Sequence, residues 1–385
     1  MCSMSLPRVI HAITPGDHFS PRTGSAIPTV VHGLASAAIA GGDARHAVVL
    51  DRTTYRPRYE SAEVIECEPS RRPSRRDYLL DAGQAFLGGR RPATAEYYRP
   101  VVEAVRALPP AILLAHNAPI LPWLLRDTAH QVVVYAHNHL FGTYGRPELS
   151  RRLATAAAIV CVSEWLAERT RRRLPTRLRS RVHAVGNGVD VVSFHPATEE
   201  PRRAMKRVMY VGRVTPQKGV DVLVRAAASL NRQDIEVVIV GRPGFAPDAP
   251  LSDYELELRR LAARTRTRLS FEGFVDRTEL PALLRTADAF VLPSRGAESW
   301  GLTAGEAMAT GLPVVASRIG GVPEVIGDAG VLVEPDNPRA LAAALASLIS
   351  DSVERTRLGR AARARVEAHD WDWAWSRLRL VLTTI

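Results

Sequence analysis

Leu292-Pro293-Ser294-Arg295-Gly296-Ala297-Glu298-Ser299-Trp300-Gly301-Leu302-Thr303-Ala304-Gly305-Glu306-Ala307-Met308-Ala309 reads as the end of a strand, a polar loop and the start of a helix. The apolar run closes at Leu292, glycines punctuate the loop, and helical spacing begins near Leu302. Such a unit puts the loop at the carboxyl end of a strand, where open α/β sheets bind ligands. Glu298 lies in the loop and Glu306 on the helix. A carboxylate aimed into a cleft accepts hydrogen bonds from sugar or ribose hydroxyls, and a glycine-rich loop offers backbone N–H donors to the same ligand. Either glutamate alone is equally compatible with a solvated side chain. Glu306, however, is flanked by Ala304, Ala307, Met308 and Ala309, where an unpaired carboxylate is costly.

The same alternation extends in both directions. Towards the C-terminus, strands are expected at 314–316 and 331–333 and a helix at 340–349; towards the N-terminus, strands at 208–211, 237–240, 269–271 and 289–292 alternate with helices at 220–230, 254–263 and 279–286. The first half repeats the pattern with strands at 8–13, 47–50, 111–115, 132–136, 159–162 and 182–185 and helices at 25–40 and 165–173. Turn residues in Val185-Gly186-Asn187-Gly188-Val189-Asp190 and an irregular, charged stretch at 196–203 interrupt it. The expected organisation is α/β: one doubly wound domain over 1–190, a second over 191–370, and a C-terminal helix over 371–385 that packs back toward the first. Two such sheets are expected to face a cleft. The helix carries Trp371, Trp373 and Trp375 and reads as packing surface rather than a ligand platform.

Three further stretches carry chemistry. Gly212-Arg213-Val214-Thr215-Pro216-Gln217-Lys218-Gly219 follows a strand directly, so a glycine, two cations and a helix start meet at one strand end. That combination suits a diphosphate, although two surface cations in a βα loop give the same pattern. It lacks the P-loop ending Gly-Lys-Ser/Thr. Val132-Val133-Val134-Tyr135-Ala136-His137-Asn138-His139 places histidines after a strand, where His137 can bond a sugar hydroxyl, move a proton, or shape the turn. No acidic or Cys partner lies near it in sequence, which disfavours a metal. Pro21-Arg22-Thr23-Gly24-Ser25 reads as a tight βα turn with Ser25 as helix cap.

Composition narrows the classes. The chain has 385 residues, 46% of them hydrophobic, and a net charge of +11. Lys206 and Lys218 are the only lysines, so nearly all 51 basic residues are arginine. This bias suits anionic partners or reflects codon preference with ordinary solvated faces. The densest clusters, at 71–76 and 171–181, lack the interleaved aromatics of a nucleic-acid platform, so no nucleic-acid partner is expected. Cys2, Cys67 and Cys161 are too few and too scattered for a disulfide framework or zinc site. No apolar run reaches the ~20 residues of a membrane span. The stretch 1–7 does not read as a secretory signal, which makes the cytoplasm the expected compartment. No basic amphipathic helix is evident in the N-terminal half apart from a helix near 97–108 with Arg99 and Arg106, which favours a water-soluble acceptor over a membrane lipid.

With Gly24, His137, Asn187-Gly188-Val189-Asp190, Phe194-His195-Pro196, Arg213 with Lys218, Gly273-Phe274-Val275, Glu298 with Glu306, Gly311-Leu312-Pro313-Val314-Val315-Ala316-Ser317 and Gly320-Gly321-Val322-Pro323-Glu324 in place, the chain resembles the retaining family-4 glycosyltransferases of the GT-B fold, two Rossmann-like domains facing a cleft. The resemblance covers nearly the whole chain and is more specific in its C-terminal half. It implies transfer of a hexose-type sugar from a UDP- or GDP-linked donor, with no metal and no cofactor beyond that substrate. Arg213 and Lys218 would hold the diphosphate. His137 would meet the donor sugar near its 6-position, and Glu298 with the amides of Ser299, Trp300 and Gly301 its 3- and 4-hydroxyls, next to Leu302. Glu306 would bind the ribose, Phe274 and Val275 the nucleobase, and Gly24 the phosphates or acceptor. Two features depart from the family pattern: Thr23-Gly24 where two glycines are common, and Trp300 where Phe is common. A GT-B-like epimerase or hydrolase, and a non-catalytic basic binding protein, are the rival classes. The acceptor, a glycan or a small molecule such as a natural product, is not specified.

Overall fold

The computed structural model describes residues 6–86, 90–198, 204–244 and 250–385. Cys2, most of the 1–7 stretch and part of the 196–203 stretch fall outside them. Contacts divide the chain into two units. The first comprises Met1–Ser20, Ser25–Gly188 and Trp371–Ile385; the second comprises Pro21–Gly24 and Val189–Asp370.

The first unit holds one parallel sheet of seven strands: β1 (Val9–Ala12), β2 (Ala47–Asp51), β3 (Glu63–Cys67), β4 (Ile112–His116), β5 (Gln131–Ala136), β6 (Ala158–Cys161) and β7 (Val182–Ala184), in the order β3-β2-β1-β4-β5-β6-β7. The strand order reverses between β1 and β4, which makes this a doubly wound sheet. β1, β2, β4 and β6 are buried along their whole length, as parallel strands covered on both faces must be. β3 was not expected from the sequence. Its Glu-Val-Ile-Glu-Cys lies at the sheet edge, only Cys67 is buried, and its apolar run is too short to stand out. Ser25 does not cap helix Ala26–Ala40 through its side chain as expected; its hydroxyl donates to Asp17 instead, at 2.9 Å.

The tryptophan-bearing helix, Trp371–Leu382, belongs to the first unit and packs on helix Ala26–Ala40. A Cβ at Gly33 would lie 2.2 Å from the Trp371 ring, so the absence of a side chain there sets the closeness of the two helices. Trp375 is buried and its indole N–H donates to Asp43 at 2.8 Å.

The second unit holds β8 (Lys206–Val211), β9 (Ile235–Val240), β10 (Arg268–Gly273), β11 (Ala289–Leu292), β12 (Val314–Ser317) and β13 (Val331–Val333), all parallel, in the order β10-β9-β8-β11-β12-β13. This is the Rossmann strand order, with its reversal between β8 and β11. Both chemistry-bearing loops, after β8 and after β11, leave this reversal point side by side. Helix Ser352–Glu367, unexpected because its five arginines mask the apolar stripe, packs on helix Leu302–Ala309 through Ala362 and Val366.

Candidate functional site

In the second unit, β8 delivers Val211 and Gly212 to the sheet edge. The fully buried Tyr210 donates its hydroxyl to the Arg213 carbonyl at 2.7 Å, which pins the loop where the first cation leaves the strand. The turn Pro216–Lys218 ends at Gly219, whose φ of 68° is left-handed and starts helix Val220–Leu230. A Cβ at Gly219 would lie 1.9 Å from the Pro293 carbonyl oxygen. Only glycine therefore lets this loop press against the loop after β11. The Gln217 carbonyl accepts from the amides of both Arg295 and Gly296, at 3.0 and 2.9 Å, joining the loops by their backbones.

That junction brings Lys218 to Glu298, Nζ to Oε2 at 2.5 Å, with Ser294 Oγ donating to the same oxygen at 3.2 Å. Glu298 is held from behind as well. Its carbonyl accepts from Gly321 N at 2.8 Å, and a Cβ at Gly320 would meet that carbonyl oxygen at 1.9 Å. The absence of a side chain at Gly320 thus lets the chain run against Glu298. Ser299 is buried, and Gly301 at φ 100° opens helix Leu302–Ala309. Trp300 packs on the core beneath, but its buried indole N–H finds no partner among the described residues.

An open pocket adjoins these loops. Its floor is Val211-Gly212 and Val240-Gly241, where a Cβ on Gly241 would come 2.0 Å from the Gly212 carbonyl oxygen. One side is apolar, from Phe274, Val275 and Leu280; Arg213, Arg242 and Arg277 bring positive charge; Thr23, Gly24 and Thr303 complete the rim. Behind it, Glu306 is buried and paired with Arg277 at 2.5 Å, while its Oε2 has no partner among the described residues. Burial pushes the Glu306 carboxyl up, against the opposing pull of Arg277. Arg277 is itself held by the Phe194 ring, 5.6 Å away, and by its amide donating to Pro21 O at 3.1 Å.

Of the residues singled out in the sequence, Gly24, Arg213, Phe274 and Val275 line the cavity. Lys218 and Glu298 form the adjoining pair, Ser299, Trp300, Gly301 and Leu302 lead into the helix, and Glu306 connects to the cavity through Arg277. Arg242 and Arg277 were not foreseen. The signal for Arg242 was available: Val240-Gly241-Arg242 repeats the strand-Gly-Arg arrangement of Val211-Gly212-Arg213. Arg277 lies two residues beyond the recognised Gly273-Phe274-Val275.

His137 belongs to the first unit, immediately after β5. Its backbone N–H donates to Asn117 Oδ1 at 2.8 Å, and its Nε2 lies 2.7 Å from His116 Nδ1. Burial lowers the His137 imidazole to about 3, so at neutral pH the ring is uncharged. It can therefore exchange a hydrogen bond but does not stand ready as an imidazolium. Among the described residues, no three His, Cys, Asp or Glu side chains gather as a metal-ligand set.

The doubly wound sheets and the paired loops have their counterparts among sugar-transferring proteins. The family described as "Glycosyl transferases group 1" matches residues 195–365, and "Glycosyltransferase Family 4" matches 27–192. Spore coat protein SA of Bacillus subtilis is 31% identical over 257 residues, which cover 62% of this chain and 68% of that protein. D-inositol 3-phosphate glycosyltransferase of Corynebacterium glutamicum is 34% identical over 270 residues, covering 62% of this chain and 63% of that one. The Anabaena Alr3699/HepE structure in complex with UDP and glucose superposes with a TM-score of 0.75 at 17% identity, over 98% of this chain and all of that one. Sucrose-phosphate synthase from Thermosynechococcus elongatus gives a TM-score of 0.75 at 20% identity, over 98% of both chains. The chain belongs to the family-4 glycosyltransferases of GT-B fold.

Proposed function

We propose that this glycosyltransferase moves a hexose-type sugar from a UDP- or GDP-linked donor with retention of anomeric configuration and without a metal. The observation that carries the reading is the backbone junction at Gln217, which sets Arg213, Lys218, Glu298 and a fresh helix start beside one cavity. Breaking the bond between sugar and phosphate creates an oxocarbenium-like centre and a leaving diphosphate. Fixed cations and helix amides favour that separation of charge. Arg213 and Lys218 take the diphosphate, Glu298 and the neighbouring amides take the sugar hydroxyls, Glu306 the ribose, and Phe274 with Val275 the base. His137 bonds a sugar hydroxyl as a neutral imidazole. The acceptor attacks from the face the diphosphate leaves, and the leaving phosphate receives its proton, so no side-chain base is required. In support, the Anabaena relative of like fold was solved with UDP and glucose. A thermal-shift screen with UDP, GDP, TDP, ADP and their sugars tests the donor class: a ligand at about 100 times its Kd adds roughly 2.7 kcal/mol. No shift with any of them would overturn the reading, and donor turnover without acceptor would favour an epimerase or hydrolase.

A second reading of the acceptor, an amphiphile held at an anionic lipid surface, is favoured by helix Arg75–Phe86, which the sequence did not reveal as amphipathic. Leu79, Leu80 and Phe86 are exposed at 74, 56 and 91%, beside exposed Arg71, Arg72, Arg75 and Arg76. Its two acids are turned to structural use: Asp77 accepts from the Ser74 amide and hydroxyl, and buried Asp81 accepts from the amides of Ala93 and Thr94. An outward face of leucine, phenylalanine and arginine suits a bilayer interface. Co-flotation with anionic but not zwitterionic vesicles, lost in Leu79→Glu/Phe86→Glu, is the expected result; equal behaviour with both would return the acceptor to solution.

A further inference from the structure

Four histidines cross the first unit's sheet in a single line. His46 precedes β2, His11 lies on β1, His116 ends β4 and His137 follows β5, and those four strands are neighbours in the order β2-β1-β4-β5. His46 Nδ1 lies 2.9 Å from His11 Nε2, His11 Nδ1 2.9 Å from His116 Nε2, and His116 Nδ1 2.7 Å from His137 Nε2. His11 and His116 are 0% exposed and His46 is 1% exposed. Tyr135 stacks on both His116 and His137. Burial, with the neighbouring imidazoles acting in the same direction on His11 and His116, holds these rings below the ordinary histidine range.

Counting hydrogens restricts what this line can be. Four neutral imidazoles carry one ring hydrogen each, and each of the three N···N contacts requires one hydrogen and one lone pair. Placing the hydrogen of any one ring then fixes all the others. Only two arrangements satisfy every contact: all four rings protonated on Nε2, or all four on Nδ1. They differ at the two ends alone. In the first, His137 presents a bare Nδ1 and His46 an Nε2–H; in the second, His137 presents an N–H and His46 a bare nitrogen. The His46 end is closed, since its buried Nε2 has no partner among the described residues, so the line leads no proton onward. It does have a polarity. Asp43, which accepts from the Trp375 indole packed edge-on against His46, acts on His46 and favours the positive end of the hydrogen-bond dipole there. That charge favours the first arrangement, although it leaves the buried His46 Nε2–H without an acceptor among the described residues.

We propose that His46, His11 and His116 are positioning residues that lock His137 as its Nε2–H tautomer, so that its Nδ1 meets the ligand as a hydrogen-bond acceptor for a sugar hydroxyl. The proposal rests on the reading that His137 faces the donor sugar. It makes His46, just before β2 and three hydrogen bonds along the line from His137, a determinant of how that hydroxyl is held.

The test is two-bond ¹⁵N–¹H correlation spectroscopy on the full chain labelled at histidine nitrogens, at pH 7. The wild-type His137 signals should be those of the Nε2–H form; an Nδ1–H form would overturn the proposal without any variant. His46→Phe removes both nitrogens at the closed end, and His137 should then show mixed tautomers. Turnover should fall by about tenfold, the scale of one hydrogen bond, while nucleoside diphosphate affinity is unchanged. A His46→Phe protein whose His137 remains purely Nε2–H would equally overturn it. Normal transfer by His137→Ala would instead remove His137 from the sugar, a failure separable from the tautomer result.

Discussion

Lys218 Nζ and Glu298 Oε2 form an ion pair at 2.5 Å across two loops that the sequence separates by 80 residues. Each group waits partly exposed, 22 and 17% at the side chain, opposite the other. The pair holds both at the cavity edge, and a ligand with phosphate and hydroxyl groups can engage the cation and the carboxylate together.

Lys218→Ala and Arg213→Ala should each cripple transfer and leave the fold intact. Losing a charged hydrogen bond to phosphate costs on the order of 1.5–3 kcal/mol in binding and more in the transition state. The pair with Glu298 is partly solvated, so its loss should change stability by less than about 1 kcal/mol. Calorimetry with the nucleoside diphosphate, kinetics and a melting curve measure all three; near-normal turnover in both variants would refute the diphosphate assignment.

The two glutamates should separate. Glu306→Gln should weaken nucleoside diphosphate and nucleotide sugar alike, by about 1–3 kcal/mol. Glu298→Gln should spare the free diphosphate yet blur discrimination between donors epimeric at the 3- or 4-hydroxyl. Calorimetry beside kinetics with two epimers decides, and a larger diphosphate defect in Glu298→Gln would exchange the roles.

Arg277→Ala leaves the Glu306 carboxylate buried without its partner, which should cost about 3–5 kcal/mol. Glu306 is already raised in the folded protein by burial, and removing Arg277 raises it further. A carboxyl raised on folding contributes stability that is fully present below its unfolded value, ~4.3, and lost as pH climbs through the folded value. The gap in melting temperature between wild type and Arg277→Ala should therefore widen from pH 5 to pH 8, and a gap that narrows would contradict the buried pairing.

The histidine line should dominate acid stability. His46 sits at about 4 and His137 at about 3, with His11 and His116 also lowered by burial, against an unfolded value of ~6.5. Bases lowered on folding contribute stability that is present above the unfolded value and lost as pH falls below it. Each such group costs about 1.4 kcal/mol per pH unit in that window. Denaturant titrations between pH 7 and 5 should show uptake of more than one proton on unfolding, and fewer in His11→Gln.

Chelator should leave turnover intact, and the product should keep the donor's anomeric configuration. Activity lost in EDTA and restored by Mg²⁺ or Mn²⁺, or an inverted product by NMR, would count against the proposed chemistry.

The expected strands in the second half all exist: β8, β9, β11 and β12 lie inside the sheet, where cover on both faces demands a short apolar run, and the edge strands β10 and β13 still carry enough apolar residues between turn residues to be read. β3 escaped notice because an edge strand needs no such run, and helix Arg75–Phe86 because its apolar residues face outward, reversing the usual sign of amphipathicity. In the site, Arg213, Lys218, Glu298 and Glu306 were legible because strand ends and loop glycines surround them. Arg277 was not, since its role is defined by Glu306, 29 positions away. The histidine line was beyond reach for the same reason: His11 and His116 stand 105 residues apart, and only the sheet order makes them neighbours.

Helix Trp371–Leu382, seated over Gly33 by its first tryptophan, also sets an order of events during synthesis. The groove beside Gly33 leaves the ribosome early, but its covering helix follows only after the intervening 189–370 segment has been made. At ~5–20 residues per second that delay is on the order of ten seconds or more. The second unit's long segment is complete before the first can close, and for that interval the nascent chain carries an uncovered apolar groove, the surface a chaperone would hold.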